Sequence, residues 1–292
     1  MRRTHFFPVT FIFFLAAAFS AQAIPQQLEL QDADRARAIR NQGMEAYGAG
    51  SFDDAVGKFK QAIRLKPDYA QAFNDLGMAY VALNRHGEAI EPFRHAIELN
   101  PRFAEAYYNL GTAFYNLGKL VEAVTLLRQA IKQKPDYAWA HNNLGVVYFE
   151  LGRLGEAIDS YRQALSIKPG WALPHCLLAR AYYEAGRKGE AIESLKQAIK
   201  LKPDYAEAYN SLGVIYYNTR RKGEAFAAFR EAIRFQPGYA VAHYNLGVAS
   251  LDERRRDVAL ARYKMLKSLN TDLANKLYDG IYRGLLLNVS DK

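Results

Sequence analysis

A single cysteine, Cys176, is all that a chain of 292 residues holds. No disulfide can form within it even in an oxidising compartment, so stability has to come from packing. The sequence also lacks a Gly-rich phosphate loop followed by Lys and Ser or Thr, a His-Glu-x-x-His pair and a Gly-x-Ser-x-Gly elbow, so no enzyme motif stands out. The apolar run from Phe6 to Phe19 is about 14 residues and carries Pro8, short of the roughly 18 to 20 that span a bilayer as a helix. It follows Arg2, Arg3 and His5 and precedes Ala21-Gln22-Ala23. This pattern predicts a Sec-type signal peptide over residues 1–23, cleaved between Ala23 and Ile24; an uncleaved anchor is the alternative. Arg2-Arg3 lacks the rest of a twin-arginine motif, and no cysteine stands at the cleavage site to take a lipid. The expected location is the periplasm of a Gram-negative bacterium, or the outside of the cell.

What the chain has in quantity is repetition. Pro67, Pro101, Pro135, Pro169, Pro203 and Pro237 recur every 34 residues, a period that signals a solenoid whose units bury their apolar faces on one another. With the proline at position 32, units begin at Ala36, Ala70, Ala104, Ala138, Ala172, Ala206 and Ala240. Position 7 is leucine from Leu76 onward, position 8 is glycine except at Ala179, and position 20 is alanine throughout, from Ala55 to Ala259. Position 11 is mostly aromatic (Tyr80, Phe114, Tyr148, Tyr182, Tyr216). Each unit therefore reads as two amphipathic helices, the first apolar at positions 4, 7, 8 and 11 and the second at 20, 24 and 27. A small residue at position 8 lets the two approach closely.

The punctuation repeats too. Gly50, Gly118, Gly152 and Gly186 at position 15 can end the first helix in a left-handed conformation, and Asn84 can serve there. Asp204 and Glu207 are spaced as a capping box for the helix that follows. Tyr209, Leu212, Gly213, Tyr216, Ala225, Phe229, Ala232 and Pro237 carry a pattern that strongly resembles the tetratricopeptide repeat family. The resemblance covers 36–273. It implies an all-α fold, a right-handed α-solenoid of seven helix-turn-helix repeats (36–69, 70–103, 104–137, 138–171, 172–205, 206–239, 240–273). Residues 24–35 are a polar leader, and 274–292 are expected to hold a capping helix, with Leu277, Ile281 and Leu285 at helical spacing. The first and last repeats carry atypical core residues, as terminal units do. Pro92, inside a second helix, is expected to kink or shorten it, whereas Pro174 near a helix start is harmless.

In the resembling family the first helices line a concave groove that holds peptide segments, which directs attention to positions 2, 5, 6, 9, 12 and 13. Position 6 carries Asn41, Asn109, Asn143 and Asn245, and position 5 adds Asn74, Asn142 and Asn210. Each amide offers donor and acceptor, so the row can pair with the backbone of a bound chain; it can equally support helix packing. Tyr108, Tyr115, Trp139, Phe149, Tyr183, Tyr217 and Tyr244 accompany it, with Trp139 and Tyr108 the better exposed candidates and aromatic anchors beside polar groups the composition of binding hot spots. Arg37, Arg40 and Arg180 are the few cations expected there and can clasp an acidic tail. His141, His175 and His243 share position 4, spaced too widely for one metal ion, and read as substitutes for the aromatic residue of other units. Cys176 adjoins His175 without an apparent orienting partner for catalysis.

Charge divides between the halves of the repeat. Across 36–273, positions 1 to 15 hold 5 basic and 8 acidic residues, and positions 16 to 34 hold 28 and 17. Most of the formal +9 is thus expected on the outer, second-helix side, including Arg220-Arg221-Lys222 and Arg254-Arg255-Arg256. That side can rest on anionic lipid or lipopolysaccharide, or simply keep an elongated protein soluble; export argues against nucleic acid. The expectation is a monomeric, non-enzymatic adaptor of the cell envelope without cofactor or metal, holding a protein or peptide segment in its groove. The rival readings are a peripheral organiser on anionic membrane and a regulatory subunit of an envelope enzyme.

Overall fold

The computed structural model describes the backbone of residues 30–289 and the side chains of residues 30–282; the predicted signal peptide lies outside them. The chain divides into two compact units between Pro135 and Asp136. The first holds α1 (30–48), α2 (Phe52–Leu65), α3 (Ala70–Ala82), α4 (His86–Leu99), α5 (Ala104–Asn116) and α6 (Leu120–Gln133). The second holds α7 (Ala138–Glu150), α8 (Leu154–Ile167), α9 (Ala172–Glu184), α10 (Lys188–Leu201), α11 (Ala206–Asn218), α12 (Lys222–Phe235), α13 (Ala240–Asp252), α14 (Arg256–Leu269) and α15 (Thr271–Val289). There is no strand among the described residues. The fold class is all-α, built of helix-turn-helix repeats. Helix α1 takes in residues 30–35, the end of the polar leader.

Within a repeat the two helices meet where the first has no side chain and the second has a large one. A Cβ built on Gly77 would stand 2.5 Å from the Phe93 ring, well inside van der Waals contact. Glycine is there because the ring of position 24 lies flat on the backbone of position 8. Phe59, Leu127, Tyr161 and Phe229 fill the same place in their repeats and are fully buried. Every alanine of position 20, from Ala55 to Ala259, is 0% exposed, so any larger residue there would push the helices apart. In the seventh repeat the surface of Gly247 is covered by Leu277 of α15. Leu277 joins Ala274, Ile281, Ala259 and Leu266 in one buried cluster, through which α15 packs on α13 and α14. The side chain of Leu285 is outside the described residues.

The turns that join the helices follow the left-handed rule further than the glycines suggest. Gly50, Gly118, Gly152 and Gly186 have φ between 71 and 78°, and Asn84 has 58°. Arg220 and Arg254 occupy the same position 15 in the sixth and seventh repeats with φ of 60° and 56°. The turn is imposed on them by the hydrogen bonds that close it, Arg220 N–H to the Tyr217 carbonyl (3.0 Å) and Arg221 N–H to the Tyr216 carbonyl (2.9 Å), at the steric cost a Cβ carries in this region.

Two expectations are corrected. The Asp204–Glu207 capping box does not form: Asp204 lies in the turn, Tyr205 is the residue that precedes α11, and no side chain caps that helix. The helix starts one residue too late for the box. Pro92 does not shorten α4, which runs 14 residues like the unbroken second helices α2 and α6. The carbonyl that Pro92 cannot serve belongs to Glu88, an exposed residue whose oxygen water can satisfy, and the ring is buried in the core. Pro174 sits buried in the first turn of α9, where its missing N–H costs nothing.

Relieving the left-handed strain should stabilise the second unit. Arg220→Gly and Arg254→Gly are each expected to raise stability by about 1 kcal/mol, read from urea unfolding; a loss of stability would show that these side chains contribute more than their backbone costs.

Candidate functional site

The first-helix face is organised by pairs of side chains 35 residues apart, joining position 5 of one repeat to position 6 of the next. Asn109 donates from Nδ2 to Asn74 Oδ1 at 2.9 Å, and Asn245 donates to Asn210 Oδ1 at 2.9 Å. In the first unit the same register is held by an ion pair, Arg40 Nε to Asp75 Oδ2 at 2.5 Å. Burial pushes the Asp75 carboxyl up from its ordinary range, and Arg40 offsets part of that effect. The amide row thus splits into two roles. Asn74, Asn142 and Asn210 are buried, at 4 to 7% exposure, and Asn74 and Asn210 hold neighbouring repeats together. Asn109, Asn143 and Asn245 are half-buried and Asn41 is exposed. Asn109 and Asn245 each spend one amide hydrogen on the ladder, and an asparagine has a second hydrogen and a carbonyl oxygen besides.

Of the aromatic candidates, Trp139 stands out at 46% exposure. Its ring packs on Trp171 at 4.1 Å between centroids, and Lys168 lies over both rings at 5.5 and 5.4 Å. Tyr108 is half-buried, like Tyr115, Phe149, Tyr183, Tyr217 and Tyr244. Tyr244 packs against the cluster under α15, and the Tyr183 hydroxyl accepts from Asn218 Nδ2 at 2.6 Å.

The three cations differ in what occupies them. Arg40 pairs through Nε with Asp75 and lies over the Tyr69 ring, 5.9 Å away. Arg37 is exposed and pairs with Asp34 at 3.3 Å. Arg180 is exposed and lies over the Phe149 ring at 4.3 Å, a contact that leaves its charge without a carboxylate.

On the other half of the repeat, charge counting misses a recurring staple. Arg85, Arg153, Arg187 and Arg221 each pair with the glutamate three residues on, Glu88, Glu156, Glu190 and Glu224. Each also covers the position-11 ring of its own repeat, Tyr80, Tyr148, Tyr182 or Tyr216, at 4.3 to 4.8 Å. The paired guanidinium holds Glu88, Glu190 and Glu224 below the usual carboxylate range. Lys222 bridges Asp252 at 2.9 Å and Glu253 at 2.5 Å. Arg255 and Arg256 lie over Phe226 and Tyr282. Within the two basic runs, Arg221 and Lys222 pair with carboxylates and Arg255 and Arg256 rest on rings, so part of their formal charge is engaged within the chain.

His243 is 2% exposed. Its Nε2 meets the Pro237 carbonyl at 2.8 Å and its Nδ1 faces Arg262 Nη1 at 3.3 Å, so Nε2 carries the proton and Nδ1 accepts. The ring pins α13 to the turn before it. Burial, with Arg262 adding to it, lowers the His243 pKa, and burial lowers that of His175 beside Pro169. Burial likewise pushes the Cys176 thiol up to about 12, the reverse of what a nucleophile needs.

Residues 15–232 match the family model of the cilia and flagella-associated protein 70 C-terminal domain. The chain is 30% identical to a crystal structure of MamA, with a TM-score of 0.52, over 56% of this chain and 96% of that one. It is 25% identical to YrrB, a TPR protein with an unusual peptide-binding site, with a TM-score of 0.52 over 64% and 97%. A tetratricopeptide repeat protein from Parabacteroides merdae ATCC 43184 shares the fold at 16% identity, with a TM-score of 0.65 over 86% and 99%. No curated protein matches the chain.

The two depressed histidines give stability a pH dependence of definite sign. Above the unfolded value of 6.5 neither state is protonated and the full stability is present. Below it the unfolded chain takes up protons that the folded chain refuses, so stability falls with pH, by at most about 1.4 kcal/mol per pH unit for each histidine. Urea midpoints at pH 7.5 and 5.5 should show this fall, and His243→Phe should reduce it; a slope unchanged by the substitution would remove His243 as its source.

Proposed function

We propose, for a chain that belongs to the family of the cilia and flagella-associated protein 70 C-terminal domain, a tetratricopeptide repeat family, that it is an exported, non-enzymatic scaffold holding a segment of another protein on its first-helix face. The observation that carries this reading is the division of the amide row. Asn74 and Asn210 of position 5 are consumed by the ladder, while Asn109 and Asn245 are half-buried at the surface, fixed in orientation by that ladder and with hydrogen-bonding capacity to spare. Each of these amides can donate to a carbonyl and accept from an N–H of a bound backbone whatever its sequence. Trp139, exposed on the same face, adds an aromatic anchor. YrrB, a TPR protein with an unusual peptide-binding site, supports a peptide as the kind of ligand. The apolar segment from Phe6 to Phe19 and Ala21-Gln22-Ala23 support export with Ile24 as the first mature residue. The partner is then an envelope protein or a component of an envelope assembly.

Photo-crosslinking tests which face works. A photoreactive residue at Gln71 or Trp139, on first helices, should yield protein adducts in an envelope extract of the mature chain, at least about fivefold more than one at Lys132 or Lys196 on second helices. Adducts confined to the second-helix positions, or consisting of lipid, would contradict the reading.

A further inference from the structure

The fifth repeat interrupts the ladder, and the interruption coincides with a cleft. Its position 5 is Cys176 and its position 6 is Leu177, where the two intact rungs of the ladder have amides. Two consequences follow. Asn142, the position-5 asparagine of the fourth repeat, finds no amide at Leu177; it turns its Nδ2 to Asn143 Oδ1 at 3.3 Å, and its own Oδ1 is buried without a hydrogen-bond partner. On the other side of Leu177, a cleft of about 370 Å³ opens between α9 and α11, its apolar wall made by Leu177, Ala179, Val214 and Ile215 with Leu195 of α10 beneath. Arg180 stands at its edge.

The charge at that edge is distinctive. Among the described residues Arg180 is the one cation of the first helices α7, α9, α11 and α13. No carboxylate among the described residues pairs with it; its guanidinium rests on Phe149. Leucine at position 6 costs the fold a satisfied asparagine and leaves an apolar wall beside an uncommitted cation.

We propose that this cleft is a specificity pocket for a partner segment in which an apolar side chain, aliphatic or aromatic, adjoins a carboxylate. The apolar group enters between Leu177 and Val214, and the carboxylate pairs with Arg180. The inference rests on the reading of the first-helix face as a polypeptide-binding surface and adds which residues it selects. A carboxylate held beside the apolar wall of the cleft gains a charge-assisted hydrogen bond from Arg180. Glu184 lines the same cleft and disfavours a second acidic residue there, so the selected pattern is one apolar and one acidic position rather than an acidic run.

Leu177→Asn gives a test in which stability and binding move in opposite directions. Asparagine stands at position 6 in four other repeats, so the variant should fold, and by offering Asn142 a partner it should raise the urea midpoint. The probe is a random dodecapeptide display library selected on the wild-type chain, followed by fluorescence anisotropy of the enriched peptides. Wild type should enrich an apolar residue within two positions of Asp or Glu. Leu177→Asn should weaken those peptides about tenfold while stabilising the fold, and Arg180→Glu should exchange the acidic preference for Lys or Arg. Peptides that bind both variants as tightly as wild type, or that lack the apolar-acidic pair, would overturn the pocket and leave the broader surface standing. Failure of the wild-type chain to enrich any peptide would overturn both.

Discussion

The contact between position 8 and position 24 is the constraint on which the rest of the structure depends. A ring lying on bare backbone, as Phe93 lies on Gly77, sets how closely the paired helices approach. Within each repeat, close approach is what brings the position-20 alanines to complete burial and makes one methyl group the right size there. The same spacing is met at the end of the second unit by a residue from outside the repeat, since Leu277 of α15 reaches Gly247. The capping helix therefore continues the packing rule rather than adding a separate core.

Once the pairing within repeats is fixed, the register between them follows. Side chains 35 residues apart face each other, and two chemistries use that geometry: an ion pair, Arg40 with Asp75, and amide pairs, Asn74 with Asn109 and Asn210 with Asn245. The ladder links packing to function, because it decides which polar groups are spent on cohesion and which stay available at the surface. Where Leu177 breaks it, packing is left with a buried unpaired oxygen on Asn142, and the surface acquires an apolar cleft. The basic half of the repeat is organised separately, by arginines that tie the glutamate of the second helix to the tyrosine of the first.

Much of this is legible in the sequence. The helices follow from the apolar period, and the left-handed turns follow from Gly50, Gly118, Gly152, Gly186 and Asn84 because these residue types tolerate positive φ. Arg220 and Arg254 escape such a reading, since nothing in an arginine's chemistry announces that conformation; only their position in the repeat does. Asp204 shows the reverse error, a correct residue pair displaced by one position from the helix start. For the candidate site, composition directed attention to the first-helix asparagines but not to their division between positions 5 and 6, because a three-dimensional register of 35 is invisible to a period of 34. Arg40 looked like a free cation for the same reason. The arginine-glutamate staples were present as three-residue spacings, yet a count of charge by half-repeat conceals which charges are neighbours.

The packing claim is tested most directly by comparing two glycine-to-alanine substitutions in the first unit. Gly77 faces the Phe93 ring, whereas Gly57 in α2 has nothing within 4 Å of where its Cβ would be. Unfolding in urea should show Gly57→Ala stabilised by up to about 1 kcal/mol, the gain of alanine over glycine in a helix. Gly77→Ala should lose roughly 1 to 3 kcal/mol as the added methyl drives the helices apart. Equal stabilisation of both variants would contradict the account, because the ring would then not be holding the spacing of the paired helices.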